Sequence, residues 1–124
     1  MANDYDIKAR ILGVDAIAAV GLRWAAHTGD PGGADTANSE VTGGSPAYAR
    51  KAVAWNAANV SGVATQNGDV VIDIPTGTTV TYLSLWNVAG TVRYMKKLVT
   101  SEVFGAQGTY TVKGTTTTLD LNDA

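Results

Sequence analysis

The chain has no cysteine and a single histidine, His27, among its 124 residues. Without thiols it can build neither a disulfide framework nor a thiolate metal site. One imidazole confines the usual general-base and metal-ligand chemistry to one position. Charge is scarce as well: Asp, Glu, Lys and Arg make up 16% of the residues, against roughly a quarter in an average globular chain. Nine basic and eleven acidic side chains give a formal charge of −2, so no basic stripe is available for nucleic acid. Long apolar runs are missing too. The longest, residues 16–20, is far short of the ~20 residues that a membrane-spanning helix needs. The opening residues Met1-Ala2-Asn3-Asp4-Tyr5-Asp6 are acidic, unlike the basic start of a signal peptide. These absences predict a protein made in a cytoplasm, with neither nucleic acid nor membrane as its partner.

What is present suits one domain. Apolar residues reach 45%, and a chain of this size buries roughly 65% of the surface that its unfolded form exposes. A helix is predicted over residues 4–13. Asn3 or Asp4 can cap it, Ile7, Ile11 and Val14 share one face, and Gly13 marks its end. It is expected to pack over one end of a sheet, or to reach a neighbouring subunit as an arm.

After the helix the period falls to two. Val20, Leu22, Trp24 and Ala26 point one way, and Arg23, Ala25 and His27 the other. Further strands are predicted over residues 48–56, 69–74, 80–88, 91–99, 109–112 and 115–121. Asn67-Gly68 is read as a type I′ hairpin turn, and Pro75 as a strand end. Residues 80–88 are apolar on both faces, with Leu83 and Leu85 on one and Val80, Tyr82 and Trp86 on the other. They are therefore read as a central strand covered on both sides. Lys96-Lys97 suits a charged edge strand, Ala89-Gly90 a two-residue turn, residues 101–107 a loop, and Lys113-Gly114 a hairpin turn between the last two strands. One helix and about seven strands separated by turn signals predict a mainly β, antiparallel sandwich, jelly-roll or immunoglobulin-like, spanning residues 1–124 as a single domain.

The longest gap between strands, residues 28–47, is rich in Gly, Asp, Ser and Thr. Connections of that length inside a compact domain are usually functional or flexible. Its residues run Thr28-Gly-Asp-Pro-Gly-Gly-Ala-Asp35, then Glu40-Val-Thr-Gly-Gly-Ser45, then Tyr48-Ala-Arg50. With the strand Thr79-Val-Thr-Tyr-Leu-Ser-Leu-Trp-Asn-Val88 and the tail Gly108-Thr-Tyr-Thr-Val and Leu119-Asp-Leu-Asn-Asp123, this order resembles small virion proteins of tailed bacteriophages, described as tail-fibre, minor tail or capsid-associated proteins. The resemblance covers residues 7–123. It implies a non-enzymatic structural protein located in the virion, contacting other virion proteins as a homo-oligomer. That family carries no catalytic residues to transfer. The four threonines 115–118 depart from its pattern.

Chemistry read directly from the residues is thin. His27 can act as base or metal ligand, but a strand-end histidine more simply hydrogen-bonds the adjoining loop. A Ser45–His27–Asp30 triad lacks a nucleophile-elbow signature. Asp30, Asp35, Asn38 and Glu40 offer hard oxygens for calcium, without the alternate spacing of an EF-hand. Paired carboxylates for glycoside hydrolysis have no readable separation, since most acids sit at turns. No cofactor, metal or catalytic residue is therefore expected. The aromatic residues Trp24, Trp55, Trp86, Tyr5, Tyr48, Tyr82, Tyr94 and Tyr110 open an alternative, a carbohydrate-binding module that attaches to host-surface glycans. Trp24 and Trp55 are read as core, and Trp86 as meeting a second layer or a partner. The candidate interface consists of Asp30, Pro31, Asp35, Glu40, Tyr48, Arg50 and Trp86.

Overall fold

The structure, a computed structural model, describes residues 6–121. It is mainly β, with 42% of residues in strands and 13% in helix, and all its ladders are antiparallel. The elements in order are α1 (Ile7–Ala18), β1 (Arg23–His27), β2 (Lys51–Ala52), β3 (Val63–Thr65), β4 (Val70–Ile74), β5 (Thr78–Trp86), β6 (Arg93–Phe104), β7 (Gly108–Val112), a 3-10 turn (Gly114–Thr116) and β8 (Thr118–Asp120). A four-stranded sheet is ordered β2-β1-β5-β6, and β3 pairs with β8 and β4 with β7.

The core lies between these layers. Alternation along β1 sends Trp24 and Ala26 into it, β4 adds Ile72 and Ile74, and β5 adds Leu83 and Leu85. The β4 face is as its sequence predicts: Val70, Ile72 and Ile74 are buried, Val71 is exposed, and Pro75 follows the last residue. Val80 departs from expectation. It shares the core with Leu83 and Leu85, because the β5–β6 register is interrupted between Val80 and Tyr82. The same interruption hides the length of β6. Residues 101–104 continue it, pairing Phe104 with Thr78, where a loop is predicted from the sequence.

The helix is longer than predicted and begins later. Its cap is Asp6, without a side-chain cap bond, while Asn3 and Asp4 lie outside the described residues. Gly13 does not end it. A Cβ there would sit 2.5 Å from Leu121 Cδ1, so this glycine admits the C-terminal strand's neighbour in mid-helix. The chain turns at Gly21 instead, which takes φ +80°. The helix packs on β3 and β8, and Val14 is fully buried.

Two predicted hairpins are replaced by one bent ladder. β3 and β4 do not pair across Asn67-Gly68, nor β7 and β8 across Lys113-Gly114. Instead β4 runs along β7 and β3 along β8, with a corner between the two halves. Gly68 takes φ +83° but Asn67 does not adopt a positive φ, so the turn is not type I′. At the corner Gly114 lies against Gly68: a Cβ on Gly114 would come within 2.6 Å of the Gly68 carbonyl oxygen. Gln66 fastens the corner. Its amide donates to the carbonyls of Gly68 (2.8 Å) and Val112 (2.9 Å) and accepts from Trp24 Nε1 (2.8 Å).

The strand predicted over residues 48–56 is only Lys51–Ala52, followed by a single bridge from Trp55 to Gln66. The turn at Ala89-Gly90 widens to residues 87–92, where the Asn87 side chain accepts from the Thr91 and Val92 N–H groups. Leu119 faces inward, whereas Leu121 is 41% exposed. β6 ends the four-stranded sheet, so Lys96 and Lys97 do stand on an edge strand.

Candidate functional site

The seven candidate residues converge on one face. β1 and β5 are adjacent, with His27 opposite Tyr82 and Ala25 opposite Ser84. Their core-facing neighbours leave His27, Ser84 and Trp86 pointing to the opposite side. Residues 28–50 fold over that side. This long loop is the second layer that the doubly apolar β5 requires.

At the centre is a closed polar set. His27 Nδ1 lies 2.9 Å from the carbonyl oxygen of Asn38, and Nε2 2.6 Å from Ser84 Oγ. A carbonyl only accepts, so Nδ1 carries the proton and Nε2 accepts from the Ser84 hydroxyl. Ser84 Oγ in turn accepts from Trp86 Nε1 at 2.7 Å. Every polar hydrogen of the trio has a destination. Burial lowers the His27 pKa, against the opposing pull of the Asn38 carbonyl and the Glu40 charge. The ring is therefore neutral. A Ser–His pair at this distance resembles an activated nucleophile, but both residues are 0% exposed. Ser45 and Asp30 take no part, and the triad drawn from the sequence is not assembled. Ser45 instead donates its backbone N–H to Gln107.

Beside this set runs a chain of charge-assisted bonds. Arg50 lies 4.3 Å above the Trp86 ring and grips Glu40 with two parallel bonds, Nε to Oε2 at 2.9 Å and Nη2 to Oε1 at 2.8 Å. Tyr48 donates its hydroxyl to Glu40 Oε2 at 2.7 Å and accepts the Ala26 N–H at 3.0 Å. This satisfies the β1 edge beyond the short β2. The loop supplies the rest of that edge, with Val41 N–H donating to the Ala26 carbonyl and Thr28 N–H to that of Ser39. Burial raises the Glu40 pKa, but the bonds from Arg50 and Tyr48 outweigh it and hold the carboxyl below its ordinary range. Arg50 is raised by the Glu40 bond, and Tyr48 is raised by burial and then by Glu40.

The far end of the loop is strapped to β6. Lys96 Nζ reaches Asp30 Oδ1 at 2.7 Å, and this bond, with a second from the Gly32 N–H, lowers the Asp30 pKa. Arg93 donates to the carbonyls of Thr36 (2.6 Å) and Gly32 (2.9 Å), while its backbone N–H donates to Asp35 Oδ1 (2.8 Å). Pro31 is buried beneath, and Asp35 and Ser39 adopt positive φ of 57° and 59°. Sequence reasoning missed Ser84, Arg93 and Lys96 as partners of this region. Each lies more than 40 residues from the group it holds, so no local signal identifies it.

Among the described residues no group of three or more His, Asp or Glu residues is placed to hold a metal ion; Asp30 and Glu40 pair with Lys96 and Arg50. No described helix is long and apolar enough to cross a membrane. Trp24 and Trp86 are buried, Trp55 packs 6.4 Å from Trp24, and Tyr5 lies outside the described residues.

Fold and site together define a β-rich module whose long loop is locked onto its sheet by the chain's own polar groups. Residues 9–120 match the family model of the podophage GP4 fiber I protein gp80, and the chain belongs to that family of bacteriophage fibre structural proteins. It is accordingly a virion-associated protein. No curated protein and no solved structure matches it.

Proposed function

We propose that this chain is a non-enzymatic fibre component that assembles through protein–protein contacts, using the outer crest of the loop against a sister subunit or another virion protein. One observation carries the reading. Residues 28–50 are fixed in shape by buried and charge-assisted bonds, yet residues 33–36 and 42–47 remain exposed. A surface already ordered loses little entropy when it binds. Asp30, Pro31, Glu40, Tyr48, Arg50 and Trp86 then shape the interface from beneath, with Asp35 on its rim. Symmetric association of identical copies is the common form for such parts. The glycan-binding alternative calls for an exposed aromatic stacking face. Trp24 and Trp86 are buried and offer none, Tyr94 is 38% exposed on β6, and this reading is not advanced.

The test is substitution on the crest alone. Ala34→Arg and Ala47→Arg change exposed side chains that hold nothing in place. Both should leave the circular dichroism spectrum and Tm unchanged while sharply reducing incorporation into particles. Full incorporation of both variants would overturn the proposal.

A further inference from the structure

The longest strand, β6 with its 12 residues, ends the four-stranded sheet, and no described strand pairs with its outer edge. Beside residues 94–97 the surface opens into a groove of about 530 Å³, so the edge is accessible there. An open edge of this length is a template for another strand. Two of its large apolar side chains, Leu98 and Val103, are 70% and 74% exposed. Lys96 is occupied by Asp30 and Gly32, and Asp120, across the groove, already has a partner. Lys97 and Glu102 have neither a hydrogen bond nor an ion pair among the described residues. We propose that β6 joins β6 of a second copy, antiparallel across a two-fold axis, with Lys97 of each chain opposite Glu102 of the other. This contact is separate from the loop crest and does not depend on it.

Register and charge point to that occupant. Opposite residues of an antiparallel pair share a face, and a two-fold interface is complementary to itself. Lys97 lies opposite Leu83 and Glu102 opposite Val80, both core-facing, so the two side chains share one face. An unbroken strand would put residues 97 and 102 on opposite faces, because their spacing is odd. The irregularity between residues 98 and 102 carries that change of face: β6 advances from Leu98 to Glu102 while β5 steps only from Tyr82 to Val80. Leu98 and Val103, next to the charged pair in the chain, share the other face. A two-fold axis between Val99 and Thr100 then meets both requirements. Lys97 faces Glu102 of the second copy twice over, and Leu98 lies diagonal to its Val103, within reach of a large side chain. A one-residue slip would set core-side against loop-side residues, and a two-residue slip would separate the charges. Lysine alone guards an edge against pairing. With Glu102 on the same face, the edge admits a copy of itself. Main-chain bonds supply affinity, and the two ion pairs select this partner and register.

Charge reversal tests this in the full-length chain. Wild type should dimerise with rising concentration in sedimentation velocity. Lys97→Glu alone, and Glu102→Lys alone, each set two like-charged pairs at the junction and should weaken the dimer about tenfold or more. Mixed in equal amounts, the two variants should recover wild-type association as a heterodimer, because every altered site then faces the opposite charge. Circular dichroism of each variant should match wild type. The absence of native cysteine allows a second readout of register. Leu98→Cys and Ser101→Cys chains, mixed and mildly oxidised, should join position 98 to position 101 in preference to either like pair, located by peptide mass spectrometry. A wild type that stays monomeric, a mixture that associates no better than its components, or a preference for like-pair links overturns the proposal. Ala34→Arg and Ala47→Arg should leave this association unchanged, so failure of the crest reading in particles leaves the β6 contact standing. Loss of the dimer in those two variants, with Lys97→Glu unaffected, would place the contact on the crest and overturn the proposal.

Discussion

At the residue scale the decisive group is His27. It is fully buried, donates to a loop carbonyl and, as the neutral ring, accepts from Ser84. Its folded pKa lies below the ordinary value of 6.5, so below that value the unfolded chain binds more protons than the folded one. The stability it contributes is complete above about pH 6.5 and is lost as pH falls toward the folded pKa. Asp30 and Glu40 are depressed too, but their loss begins only below about pH 4.5, which separates the two windows. Urea unfolding of the wild type should therefore show stability falling between about pH 7 and 5, and His27→Gln should be less stable at pH 8 yet flat over that interval. An equal slope in both would show that His27 is not the titrating group. Arg50 gives a second measure. Arg50→Ala removes the paired bonds to Glu40 and the cap on Trp86, for a loss of about 2–3 kcal/mol. The same variant should be nicked by protease within residues 28–50, where the wild type resists.

At the scale of elements, the corner of the bent ladder matters most. Gly114→Ala drives a methyl group into the Gly68 backbone, which no side-chain motion relieves, and should cost about 1–3 kcal/mol. Thermal melts should show the drop, and the same substitution at the open Gly33 should not. The corner also marks where sequence reading fails. Period-two patterns identified β1 and the faces of β4, because each is set by local alternation; the apolar run of β5 gave its double cover, and the Lys96-Lys97 pair, which breaks alternation, gave the edge position of β6. Pairing across Asn67-Gly68 was not decided locally. Turn chemistry allowed a hairpin, but Gln66 spends its amide on Trp24, Gly68 and Val112, and these long-range bonds hold β3 and β4 apart. Gly13 misled for a related reason, since its small size serves Leu121 rather than a helix end. The loop residues Glu40, Tyr48 and Arg50 were named from polarity and position as contacts to another chain. Their engagement with one another and with Trp86 was not, because it depends on β5 lying beneath them.

At the scale of the whole molecule, the proposed assembly would account for the weak surface charge and the rigid loop together. Neighbours would cover part of the surface, and a preshaped crest would bind them without ordering a flexible segment first. The central claim is that this chain is a structural part of the particle. Electron cryo-microscopy of intact particles tests it most directly, by searching fibre density for the four-stranded sheet with α1 at its side. The account predicts that the fold fits in repeated copies, with residues 33–36 and 42–47 against a neighbouring chain. Fibre density that no copy of this fold fits, or copies whose loop crest faces solvent throughout, would contradict it.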